Sequence, residues 1–168
     1  MQAERLDGRS LTMTALLAVA AGRCGVEVDP VALRRVEGRH AMLQQARAHG
    51  AVYGANTGVG ANRHERTADD AERALRLLRS HCAAVGPVVD DVTARAMMAV
   101  RLNQILAGGS GVSRQVAEAL GAALHDGAVP TIHSWGAIGT GDLAALAELS
   151  LTLAGERPWR DGKGPTPP

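Results

Sequence analysis

The chain has no Phe, one Tyr (Tyr53) and two Trp (Trp135, Trp159), so aromatics are 2% of its 168 residues. A core built without Phe is filled by Leu, Val, Ala, Ile and Met. Ala, Leu and Met favour helices, so a mostly α domain is expected. The scarcity of β-branched and aromatic residues argues against a sandwich or barrel. Lys is nearly absent: Lys163 is the single Lys among 18 basic residues. With 17 acidic residues the net charge is +1, which gives no electrostatic case for nucleic acid or an anionic membrane surface. Two cysteines, Cys24 and Cys82, make neither a disulfide framework nor a metal spacing, and their apolar neighbours predict buried thiols. No hydrophobic run is long enough to span a membrane, the stretch from Leu11 to Ala21 included. Glu4 and Asp7 spoil the basic start of a signal peptide, so a cytoplasmic protein is expected.

What remains is the composition of one globular domain, 46% hydrophobic and 21% charged. Glu4 to Ser10 reads as a short strand or loop. A helix follows from about Thr12 to Ala21, with Ser10 or Thr12 as N-cap. Asp29-Pro30 opens a second helix that stops near Gly50. A third runs from about Thr67 to Ala83, with Asp69 and Asp70 in its first turn, and Gly86-Pro87 breaks the chain. Asp90 and Asp91 open a fourth, which Gly108-Gly109-Ser110-Gly111 ends. Ser113 is placed to cap a fifth, with Val116, Leu120 and Leu124 on one face. Pro130 to Gly141 reads as irregular. A sixth helix from Asp142 to Gly155 is apolar around most of its circumference and requires cover. Residues 1–156 therefore read as one helical domain and 157–168, with four prolines, as a mobile tail. Arg34-Arg35 and the trio Arg73, Arg76 and Arg79 read as solvated helix faces.

Three loops carry groups capable of chemistry. Tyr53-Gly54-Ala55-Asn56-Thr57-Gly58-Val59-Gly60 holds three glycines and cannot be a stable helix. Alone it is a tight turn needing positive φ, and no Lys-Ser/Thr follows to make a phosphate loop. His81 after Ser80 is, alone, a helix-terminal histidine bonded to the last carbonyls. Gly139-Thr140-Gly141-Asp142 is, alone, a Thr N-cap with Asp in the first turn.

Together and in this order they resemble the N-terminal part of the aromatic amino acid ammonia-lyases, the histidine and phenylalanine ammonia-lyase family. The glycine loop looks like that family's Tyr-Gly-x-Asn-Thr-Gly-x-Gly. Leu77-Leu78-Arg79-Ser80-His81 looks like Leu-x-x-Ser-His, and Arg101-Leu102-Asn103-Gln104-Ile105-Leu106-Ala107-Gly108-Gly109-Ser110-Gly111 is close to Arg-x-Asn-x-Leu-x-x-Gly-x-Ser-Gly. Gly136 to Ala144 resembles Gly-Ser-Val-Gly-Ala-Ser-Gly-Asp-Leu-Ala. The resemblance implies a mostly α domain of the fumarase/aspartase-like fold with glycine-rich active-site loops. It implies a truncated member, the N-terminal portion only.

In that family an internal Ala-Ser-Gly becomes the electrophile methylidene-imidazolone, a loop tyrosine transfers protons and a histidine helps bind substrate. The resemblance gives catalytic roles to Tyr53, His81 and Thr140. It gives substrate contact to Asn56, Gly58, Gly60, His133, Gly139, Gly141 and Asp142. Two departures stand out. Gly139-Thr140-Gly141 is one residue short with Thr for Ser, so dehydration would give a methyl-bearing, more hindered alkene. His133 stands where Pro is usual.

No prosthetic group is expected; Gly139-Thr140-Gly141 is the segment from which methylidene-imidazolone would form. Backbone N–H groups at Gly141 and Asp142, opening a helix, could instead hold an oxyanion. The expected function is Tyr53/His acid–base chemistry on a small molecule: an elimination, a conjugate addition or a cyclisation, in specialised metabolism. One alternative is a subunit of a split ammonia-lyase or aminomutase. Another is a non-catalytic binding or scaffold protein. The expected partner is another copy of the chain or a helical companion, with no nucleic acid and no membrane.

Overall fold

A computed structural model describes residues 3–67, 72–136, 141, 143–162 and 164–167. The element order is β1 (Ala3–Leu6), α1 (Met13–Ala20), β2 (Gly25–Val28), α2 (Pro30–His49), a 3-10 turn (Gly60–Asn62), α3 (Arg73–His81), β3 (Val85–Val88), α4 (Asp91–Leu106), α5 (Arg114–His125), β4 (His133–Trp135) and α6 (Leu143–Leu153). The mostly α expectation holds.

Helix α4 is the axle of the core. Ala94, Met98, Leu102 and Leu106, at steps of four, are fully buried together with Ala99. Around them pack Leu6, Val19, Val26 and Val36 from the N-terminal elements, Leu120 and Leu124 from α5, and Leu149 and Leu153 from α6. The cover that α6 requires thus comes largely from this chain, including α3, which packs against it.

The helix starts follow from capping. Thr12 Oγ1 accepts from Ala15 N–H (3.2 Å), Asp29 Oδ1 from Ala32 N–H (2.8 Å) and Asp90 Oδ1 from Thr93 N–H (2.7 Å). Ser113 occupies the cap position of α5, but its hydroxyl makes no capping bond. Asp69, Asp70 and Asp142, expected in first turns, lie outside the described residues.

Of the short strands only β1 was anticipated, by the strand or loop read from Glu4 to Ser10. β1 and β2 pair in parallel from Ala3–Gly25 to Leu6–Val28, with α1 as the crossover. β3 and β4 pair antiparallel, Val85 opposite Trp135 and Val88 opposite His133. The break at Gly86-Pro87 is therefore inside a strand, and the irregular stretch after Pro130 holds another. Three or four residues are too few to display a two-residue period, and Gly86 is fixed by packing. Its φ is +85°, and a Cβ there would lie 2.5 Å from the Trp135 ring. Cys24 and Cys82 are half-buried rather than buried.

The arginines are less solvated than their clustering suggests. Arg35 donates to Asp7 O (3.1 Å) and Leu106 O (2.6 Å), tying α2 to the end of α4. Arg79 pairs with Glu156. In the tail, Arg160 N–H donates to Val129 O (2.9 Å), and its guanidinium reaches Val89 O and Asp91. Trp159 is half-buried against the core.

Acid should weaken this scaffold. The backbone N–H groups of Ser10 and Arg9 bring the Asp7 carboxyl down from 3.8 to about 2. Asp29 and Asp90 are lowered chiefly by the Ala32 and Thr93 N–H groups they cap. A carboxyl lowered in the folded state stabilises above its unfolded value and loses that contribution as pH falls. The melting temperature should fall as pH drops from 3.8 towards 2. In Asp29→Asn/Asp90→Asn, still capped, the fall should be smaller; an equal fall would show that the caps are not its source.

Candidate active site

The glycine loop is built from the end of α2. Asn56 is buried at 8% exposure, and its amide is spent on backbone. Oδ1 accepts from Val52 N–H (2.7 Å), and Nδ2 donates to Arg47 O (3.2 Å) and Gly50 O (2.9 Å). It satisfies carbonyls that the helix end leaves open. Thr57, also buried, accepts from Gly54 N–H and donates to Gly58 O. Gly58 N–H donates to Glu65 O (2.9 Å), and a Cβ at Gly58 would sit 2.4 Å from Asn62 O. Gly58 is thus required by close approach, and Gly54 and Gly60 by φ of +70° and +59°. Arg73, at the start of α3, completes the anchor. Its guanidinium donates to the carbonyls of Gly54 and Thr57 and to the Thr67 hydroxyl. A residue read as part of a solvated face is the clamp of the loop.

This folding puts Tyr53 on the outside. The residue is 65% exposed, and its hydroxyl oxygen accepts from Gly60 N–H at 3.2 Å. Tyr53 lines a cavity of about 990 Å³ with His40 and Arg47 from α2, Arg73, Arg101 from α4, and Ser110. His40 Nδ1 donates to Gly111 O (2.8 Å). Ser110 Oγ is buried without a hydrogen-bond partner among the described residues. No Asp or Glu is among the described lining residues, and the permanently charged groups of the wall are the guanidinium groups of Arg47, Arg73 and Arg101.

The other expected residues lie elsewhere. His81 ends α3, and its Nδ1 donates to Leu77 O (2.8 Å), as a helix-terminal histidine does. It does not line the Tyr53 cavity. Gly139, Thr140 and Asp142 lie outside the described residues; Gly141 is described, with φ +144° and open space at its Cβ position. His133 lines a second cavity, of about 550 Å³, between α4, β4 and α6. Arg101 lines both cavities. Tyr53 and His133 are therefore on different cavities that share one arginine.

Behind His133 is a group that the sequence reading missed. Glu148 is 1% exposed. Its Oε1 accepts from His133 Nδ1 (2.6 Å) and Arg157 (3.2 Å), and its Oε2 from the His133 backbone N–H (2.8 Å). The available signal was Glu148 itself, the one charge in the otherwise uncharged α6. Asn103, from the Arg101 motif, accepts from Gly8 N–H (3.0 Å) and serves the fold. Among the described residues no cluster of three or more His, Cys, Asp or Glu is placed to hold a metal, and no helix is long and apolar enough to cross a membrane.

The structure thus sets a glycine loop with an outward tyrosine beside an arginine-lined cavity on a helical scaffold. The family model for aromatic amino acid lyases matches residues 11–165, so the chain belongs to that family. It is 43% identical over 157 residues to histidine ammonia-lyase from Chloroflexus aurantiacus, covering 89% of this chain and 30% of that one. It is 38% identical over 155 residues to tyrosine ammonia-lyase from Cupriavidus metallidurans, covering 90% and 29%. Tyrosine aminomutase from Streptomyces globisporus superposes with a TM-score of 0.87 at 33% identity, covering 96% of this chain and 31% of that one. Ergothionase from Treponema denticola gives 0.89 at 31% identity, covering 96% and 33%. The chain spans about 30% of the length of the curated relatives it matches.

Proposed function

We propose that the Tyr53 cavity is a site for proton transfer on a small anionic molecule, an amino acid or its unsaturated acid. The reaction is an elimination, its reverse conjugate addition or a cyclisation. One observation carries this reading: the phenol of Tyr53 stands beside a cavity lined by three arginines and, among the described residues, no carboxylate. A carboxylate is held there by Arg47 or Arg101, and the buried Ser110 hydroxyl is available to it. The phenol oxygen then exchanges a proton with the substrate; His81 and His133, which do not line this cavity, act as a second acid–base group only for a substrate that reaches beyond it. Asn56, Gly58 and Gly60 act by shaping the loop. Thr140, Gly139, Gly141 and Asp142 are proposed to line the same reaction centre. Methylidene-imidazolone, were it formed from Gly139-Thr140-Gly141, would supply an electrophile; no step above uses it.

The test is ammonia release from L-histidine and L-tyrosine, the amino acids that the relatives' names give, by the wild-type chain beside Tyr53→Phe. Intact mass is read on the same samples, where a deficit of two waters would report the electrophile. Turnover that Tyr53→Phe removes supports the reading; turnover that survives it overturns it.

A second reading is favoured by exposed apolar side chains: Met13 and Leu17 on α1, Val92 and Val100 on α4, and Leu143 on α6. Such a chain fits one subunit of a split lyase or aminomutase. In that case the assay is silent for the chain alone, and activity appears only with a second, co-purifying chain.

A further inference from the structure

The second cavity has the parts of a base site of its own. Glu148 fixes His133 twice, through the ring Nδ1–H and through the backbone N–H. With Nδ1 donating to the carboxylate, the lone pair of a neutral ring is on Nε2. Nε2 has no hydrogen-bond partner among the described residues. The buried carboxylate already has a cation in Arg157, so His133 need not be charged to balance it. His133 is 27% exposed and lines a cavity whose walls are mainly apolar: Met97 and Val100 from α4, Ile132, and Leu146 from α6. Arg101 is the one Arg or Lys among the described lining residues.

We infer that His133 is a general base for a small, mostly apolar molecule bearing an acidic C–H or N–H, with Glu148 positioning the ring and Arg101 receiving the developing anion. Nε2 takes the proton, and the electron pair of the broken bond moves onto an oxygen of the ligand beside Arg101. The imidazolium then returns its proton to water. A carboxylate that sets the tautomer and a desolvated wall that favours charge transfer are what such a step needs. The inference stands without Tyr53 and goes beyond the reading of its cavity.

The natural ligand is not needed for the test. The probe is 5-nitrobenzisoxazole, a flat apolar molecule. Loss of its C3 proton turns the C–H pair into the third bond of a nitrile, and the N–O bond breaks to give a coloured phenolate. The wild-type chain should convert it at least tenfold faster than the same concentration of free imidazole. His133→Ala should lose at least tenfold. Val100→Trp, which fills the cavity from a partly exposed helix position, should lose a similar amount with the melting temperature kept. Glu148→Gln should lose at least threefold, and the far-downfield NMR signal of the His133 Nδ1 proton should move upfield. A His133→Ala chain that keeps the wild-type rate overturns the inference, as does a wild type no faster than free imidazole. If Glu148→Gln fails to fold, His133→Ala and Val100→Trp still decide.

Discussion

Tyr53→Phe should cost about 10²–10⁴-fold in turnover, the usual contribution of a positioned acid–base group, with the melting temperature almost unchanged. The residue is 65% exposed and its hydroxyl makes one hydrogen bond among the described residues, from Gly60 N–H, so Phe leaves the core untouched. The loop is not held by the phenol. Asn56, Thr57 and Arg73 hold it through backbone carbonyls and amides, and none of them changes. Activity and stability therefore separate at this position. The measurement is kcat by ammonia release beside thermal unfolding of the same preparations. Equal losses in both would make Tyr53 a structural residue.

Arg157→Ala should be the most damaging single change in the C-terminal segment. Glu148 is buried at 1% exposure, and Arg157 is the fixed cation on its carboxylate. Removing one partner of a buried pair leaves an uncompensated charge, at about 3–5 kcal/mol. Arg157 is 30% exposed and water softens the loss, so about 3 kcal/mol is expected, or roughly 6–12 °C in melting temperature for a chain of this size. Arg79→Ala breaks the solvated pair with Glu156 and serves as the comparison. It should shift the melt far less, because exposed pairs contribute little. Adding Glu148→Gln to Arg157→Ala should recover part of the loss, since the buried charge is then gone. Equal shifts for Arg157→Ala and Arg79→Ala would contradict the buried-charge account.

Where helices begin was legible because capping chemistry is local. Asp29-Pro30 and Asp90-Asp91 announce α2 and α4 within a residue, and Thr12 caps α1. Apart from β1, which the strand-or-loop reading of Glu4 to Ser10 overlaps, the short strands were not legible. β3 contains Gly86-Pro87, which reads as a break, and its pairing with β4 depends on residues almost fifty positions away. The site was legible where one segment carries it, as in the Tyr53 loop. It was illegible where distant segments meet. Arg73 on the loop, and Arg157 on Glu148 and thus behind His133, join elements that no periodicity connects. Asn56, read as a substrate contact, spends its amide on the chain, and His81 bonds its own helix.

The central claim is that the Tyr53 cavity receives the small molecule. Backbone amide NMR of the wild-type chain, titrated with L-histidine and with L-tyrosine, tests it most directly. The account predicts that one of them moves the amides of Tyr53, Gly54, Gly60, Arg101 and Gly111 with a common saturation curve. Amides of those residues that stay fixed in a folded chain, while shifts saturate elsewhere, would contradict it.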